Sequence, residues 1–383
     1  MRLKKTIRTA FCVCAAAALA LIFSHVSQTA PSKVNLPVGK VPLTSAGPLA
    51  FGPEGILFVA DSAGAKVVAI DTKDTKPMAK ASIHVEGVDA KIAAMVGVPA
   101  DQIVINDVVV NPISKNAYVS ASRGKGPDAA PLIAKVDTAG NVSMLSLDSA
   151  PNEAVSLVDA PEANSKGRQN PRMQTITDMT YVNGDLMVAG LSNEEWSSAL
   201  RSIPFPFKTA EKGATLQIWH SSHGRYETQA PIRTFVPYDI SGQKYVLAAY
   251  TCTPLVKIPV SELKPGAQVK GAEIADLGAG NQPLDMVPYT KDGHQYVLIA
   301  NTSFGVVKLK ADNLETYPTI SAPQRTDVAG VPYDKVSGLD NVQHLAALDS
   351  SNVLVMTGHP GSGPIYNPGP PQGPINLETV ALP

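Results

Sequence analysis

Phe235–Ile258 reads FVPYDISGQKYVLAAYTCTPLVKI, and Met286–Leu309 reads MVPYTKDGHQYVLIANTSFGVVKL. Aligned at an offset of 51 residues without a gap, eleven of the 24 positions are identical: Val, Pro, Tyr, Gly, Tyr, Val, Leu, Ala, Thr, Val and Lys. Turn residues and strand residues recur together, which marks an internal repeat. Its plan is a strand, a turn, a very apolar strand, a polar loop and a third strand.

Weaker copies run outward from this pair. They are Pro48–Asp71, Asn106–Gly124, Thr177–Glu195 and Leu339–Gly363, so the copies begin near 48, 107, 178, 234, 285 and 340. Six repeats of that length, each with room for four strands, predict an all-β chain folded as a six-bladed β-propeller, with seven blades as the alternative. The stretch after Asp340 is short for a blade. Lys33–Thr44 is therefore expected to supply the strand that closes the last one, hiding a sheet edge. One helical insertion is expected near 88–98, where Ile92, Met95 and Val96 fall on one face before Val98-Pro99 breaks it, and it is placed between the first and second blades.

Residues 1–30 read as an export signal. Arg2, Lys4, Lys5 and Arg8 precede the apolar run Ala10–Phe23, which is short for a bilayer span. An uncleaved N-terminal anchor is the alternative, and residues 31–383 then form a single propeller domain in the periplasm or outside the cell. Removing the signal takes 32 basic residues to 28 against 33 acidic ones, a net charge of −5. Mild acidity without long charge runs argues against nucleic acid as a partner. It also argues against a membrane surface, unless the N-terminal segment stays attached. Cys12 and Cys14 lie in the apolar run, so Cys252 alone remains and no internal disulfide can form.

Pro48–Asp71 resembles one blade of the NHL-repeat, YVTN-type and gluconolactonase-like propellers. From Asn106 through Lys308, the run NDVVV, TDMTY, AGLSNEE, YTCTPLVKI, NQPLDM and ANTSFGV is similar to a family of exported bacterial propellers with no assigned activity. The gluconolactonase-like resemblance implies a divalent cation on the propeller axis, held by Glu, Asn and Asp.

Propeller topology places second-to-third-strand loops and blade links on one face, where ligands bind at the channel mouth. That face is expected to carry Arg123, Asn193, Glu194, Glu195, Arg201, Thr251, Cys252, Asn301 and His359, with Asp107, Asp178, Asp285 and Asp340 in the links. Such oxygens from several segments suit Ca²⁺, with Asp178, Glu194, Asp285 and Asn301 as the ligand set. Alternatively, aspartates at inner-strand starts simply accept N–H bonds from the next blade. Ala189–Phe207 is read as a short helix and an aromatic arm, either a lid over the mouth or a packed seal. Trp219–Arg225 is assigned to the opposite face, with His220 and His223 as solvated turn residues.

The sequence contains no GxSxG, HExxH, P-loop, CxxCH or dinucleotide motif. The leading expectation is an exported module that binds a small ligand or another periplasmic protein. The first alternative is a calcium-dependent lactonase- or esterase-like hydrolase, with Asp285 or Glu194 moving the proton. The second is a redox-associated propeller, amine-dehydrogenase-like or copper-handling, using Cys252 or His359.

Overall fold

The computed structural model describes residues 34–126, 128–163, 170–252, 254–278, 280–324, 328–359, 361, 369 and 371–383. Residues 35–383 make one compact unit. The export signal read at 1–30 lies outside the described residues, among which no helix is long and apolar enough to cross a membrane.

The chain is built almost wholly from antiparallel sheet, in a propeller-like arrangement of four-stranded units. Their innermost strands are Leu49–Phe51, Ile103–Val110, Asp178–Val182, Ile232–Ile240, Pro283–Lys291 and Val342–Ala347. Each sits at one of the repeat starts expected above. The second strands, such as Val246–Tyr250 and Val297–Ala300, are buried on both faces. Units stack face to face, so a middle strand has a neighbour above and below. The most apolar segment of each repeat is the one covered twice.

The inner strands touch round a closed cycle, but the cycle does not follow the chain. From the first unit it runs to the third, fourth, fifth, sixth, second and back to the first. The chain builds three strands of the first unit, ending at Lys66–Asp71. It then makes the second unit and returns to lay Ala150–Ser156 as the first unit's fourth strand.

This interleaving corrects two expectations. The N-terminal strand Val38–Gly39 pairs with Pro151 and Ala150 on the first unit, and does not close the last one. The last unit is completed by His84–Val85, beside Glu378 and Leu377. The helix, Val88–Val96, explains why. It buries Val88, Ile92 and Ala93 in a cluster with Ile375, Leu377 and Val136, between the second and sixth units. Docking it there carries residues 84–85 to the free edge. Met95, read as part of the apolar face, is 50% exposed. The helix stops at left-handed Gly97, whose N–H reaches the Ala93 carbonyl, a glycine cap one residue before the anticipated break.

Asp74 links the first unit to the second. Its Oδ2 accepts from Ser114 Oγ at 2.8 Å, Asn116 Nδ2 at 2.8 Å and Tyr118 OH at 3.0 Å, with Lys135 Nζ 3.3 Å away. Burial opposes the charge, but these donors and Lys135 together hold the carboxyl below its ordinary range. Asp74→Ala would strand three donors, two of them in buried side chains. A loss of about 3 kcal/mol in urea unfolding is expected; an unchanged midpoint would show the network contributes nothing.

Candidate functional site

The inner strands share an irregularity. Register shifts fall between Ile105 and Asp107, Ile232 and Thr234, Pro283 and Asp285, and Val342 and His344. A bulge re-aims the side chain that follows it. Asp107, Asp285 and His344 occupy equivalent places after their bulges, while Asp178 opens the third unit's inner strand.

Each aspartate stitches its strand to a neighbour. Asp107 Oδ2 accepts Leu49 N–H at 2.6 Å, Asp178 Oδ2 accepts Phe235 N–H at 2.8 Å, and Asp285 Oδ2 accepts Leu345 N–H at 3.1 Å. The second oxygens accept from Val108, Met179 and Met286. Backbone acceptance is therefore met, yet the carboxylates still converge. His344 Nδ1 lies 3.2 Å from Asp107 Oδ1 and 3.5 Å from Asp285 Oδ2, buried and, among the described residues, without an aligned hydrogen bond.

The electrostatics follow from burial and crowding. Burial drives the Asp178 carboxyl well above its ordinary range, with the charges of Asp285 and Asp107 adding to it and N–H donors opposing. Burial also raises Asp285, against the pull of His344. Burial alone would depress the His344 imidazole, but Asp107 and Asp285 push it up to about 10. Burial lowers the Arg233 guanidinium, and Asp178 works against that. These five groups line one cavity of about 410 Å³, with Gln282 and Gln343.

Of the residues expected at the mouth, the structure assembles Asp107, Asp178 and Asp285. Asn301 is buried and hydrogen-bonded to Asn281 and to the Ile299 carbonyl. Glu194 pairs with Lys212 at 2.6 Å, and Asn193 and Glu195 are exposed. The four-residue calcium set thus does not come together. Arg123 is exposed at the end of its strand, and His359 is exposed at the end of Asn352–His359. Asp340 is also exposed, and the inner-strand place assigned to it belongs to His344.

Ala189–Phe207 is corrected too. Ser198–Pro204 is a strand paired along Asp185–Leu191, not a helix. Arg201, 1% exposed, binds Asp159 Oδ1 at 2.7 Å and the carbonyls of Thr175 and Leu191, so its charge is satisfied inside. Phe205 meets Phe58 edge to face and Phe207 packs against it at a tilt, and Phe205 N–H bonds the Gly184 carbonyl in the hairpin between the first two strands. That hairpin is at the far end from the mouth.

The uncounted strand also flips the His220 turn. Ala214–His220 is the fourth strand of its unit, not the third, so Ser221–Gly224 opens toward the mouth face. A second cavity, about 760 Å³, is lined there by His220, His223, Glu227, Thr251 and Cys252. Gln174 and Arg233 line both cavities. Cys252, in a left-handed turn, donates its N–H to the carbonyl of Asn281 at 3.0 Å, the same residue whose side chain donates to Asn301. Burial and the carboxylates of Glu227 and Asp276 push its thiol up, the opposite of a reactive thiolate. The cations sharing its cavity are Arg225 and Arg233.

No family model matches the chain, and no curated protein matches it. Solved structures do. A glucose dehydrogenase-type oxidoreductase from Thermus thermophilus is 12% identical over 90% of this chain and 100% of its own, at a TM-score of 0.32. The PQQ-bound aldose sugar dehydrogenase of Streptomyces coelicolor is 11% identical over 91% and 98%, at 0.30. A luciferin-regenerating enzyme is 12% identical over 91% and 96%, also at 0.30. At such scores the activities of those proteins stay their own.

Proposed function

We propose that this chain is an exported, six-bladed propeller that binds a small polar ligand, neutral or cationic, at its axial mouth. The closed cycle of innermost strands supports that blade count. The observation that carries the binding role is the convergence of Asp107, Asp178, Asp285, His344 and Arg233 from five inner strands on one cavity. Pairs of titratable groups driven apart in a cleft mark binding and catalytic sites more often than structural ones. Even with Asp178 neutral, the other two carboxylates balance the guanidinium and the imidazolium, so the mouth offers an anion no net positive charge. Polyols and amines fit it best.

A second reading has its own observation. One ligand atom from each of Asp107, Asp285 and His344 lies within 4.8 Å of the others. A divalent ion there would polarise a carbonyl, as in a lactonase- or esterase-like hydrolase. Nitrogen beside oxygen suits manganese or zinc better than calcium.

Thermal-shift screening of the purified protein against sugars, polyols, amines and organic anions separates the two. Stabilisation by neutral or cationic compounds, lost in Asp285→Asn, is the expected outcome. Stabilisation by anions alone would overturn the binding reading. Hydrolysis of a lactone or aryl-ester panel that disappears with chelator and in Asp285→Asn would establish the second.

A further inference from the structure

The turn His220-Ser221-Ser222-His223 is closed by the His223 N–H on the His220 carbonyl at 3.1 Å. It brings the two imidazoles to a centroid separation of 3.9 Å. Both are aimed at one carboxylate: His220 Nδ1 is 2.9 Å from Glu227 Oε2, and His223 Nδ1 is 2.7 Å from Glu227 Oε1. Arg225 Nε adds a third contact, on Oε1 at 3.0 Å.

His220 is 2% exposed, and its Nε2 has no hydrogen-bond partner among the described residues. With the proton on Nε2, the His220 lone pair sits on Nδ1 and faces the Glu227 carboxylate at 2.9 Å, beside the Nδ1 of His223 at 2.7 Å. A buried, unpartnered imidazole lone pair is costly unless something electrophilic meets it. Behind the turn, Ser221 Oγ donates to Glu273 at 2.7 Å and lies 3.2 Å from Asp276, Ser221 N–H bonds Glu273 at 3.0 Å, and Ser222 Oγ bonds Asp276. The turn is pinned from beneath by two further acidic groups, so the surroundings favour a cation.

We propose that His220, His223 and Glu227 form a site for a divalent transition ion, with zinc the best match to two imidazoles and a carboxylate. One ligand atom from each residue lies within 4.8 Å of the others. Ligands in a tetrahedral zinc site stand roughly 3.3 Å apart, so small side-chain rotations suffice. Three protein ligands leave a coordination position open toward the cavity that Cys252 and Arg233 also line. A water or a ligand donor could enter there. The site is separate from the Asp107–Asp285–His344 mouth and does not depend on it.

The test is equilibrium dialysis of the full chain against Zn²⁺ after chelator treatment, with Co²⁺ as a spectroscopic stand-in. Wild type is expected to take up one tightly held equivalent and to show the intense visible bands of tetrahedral cobalt. His223→Ala, at a side chain 40% exposed, should weaken uptake by more than about 100-fold, beyond what losing a mere hydrogen-bond partner of a ligand would cause. Glu227→Gln tests the third ligand, and Asp285→Asn should leave uptake unchanged. No saturable uptake would overturn the site. So would full retention in His223→Ala, or a loss confined to Asp285→Asn, which would put the ion at the axial mouth.

Discussion

Arg201→Met is expected to lower the unfolding free energy by about 3–5 kcal/mol and the melting temperature by roughly 5 °C for a domain of this size. The cost comes from what remains. Asp159, itself fully buried, loses the guanidinium at 2.7 Å and keeps only the Gly213 N–H at 3.0 Å. The carbonyls of Thr175 and Leu191 lose their donor as well. Adding Asp159→Asn should recover part of the loss by removing the uncompensated charge. A single variant that melts with the wild type would mean the buried pair contributes nothing.

His344→Gln carries the second large effect, and it depends on pH. The imidazole is raised from an unfolded value of about 6.5 to about 10 in the folded protein. Its stabilisation is therefore fully present below pH ~6.5 and is lost as the pH rises through about 10. Wild-type stability should fall across that window. In His344→Gln the fall across the same window should be smaller, with a deficit of about 3 kcal/mol at pH 7, the lower end for breaking a buried pair. Two curves that stay parallel from pH 6.5 to 10 would refute the charge pairing at the mouth. The carboxylates of Asp178 and Asp285 act in the same direction, since groups raised on folding destabilise the protein above their unfolded range.

The repeat was legible because the second strand of each unit is covered on both faces, and a doubly buried strand leaves an uninterrupted apolar run. Turn glycines added the punctuation. Site residues were legible only as far as strand counting held. In the fifth unit Asp285 and the residue opposite it, Ala300, are 300 − 285 = 15 apart. In the sixth, His344 and Met356 are 356 − 344 = 12 apart. The hairpin is three residues shorter, so an ungapped count lands near Asp340 and misses the histidine. Counting back from VLVM to the first strand with a free hairpin length would have found it.

The Ala189–Phe207 error had a different cause. SSALR has the composition of a helix, and an arginine amid apolar residues reads as exposed. Asp159, 42 residues earlier, makes Arg201 buriable, and no local pattern announces that partner. Missing that strand shifted the His220 turn to the wrong end, and with it the strongest metal-like cluster. The interleaved units were beyond reach because pairing partners such as His84 and Glu378 carry no mutual signal.

That interleaving has a kinetic consequence. The contact between Val85 and Leu377 spans 377 − 85 = 292 residues, so an edge strand made early waits unpaired until nearly the last residues leave the ribosome. The first unit waits likewise for Ala150–Ser156. Contacts so distant along the chain form slowly, and an incomplete chain exposes two raw sheet edges at once. Ring closure is then the step that commits the molecule, and a chain cut short before Leu377 should be captured by holdase chaperones or lost to aggregation.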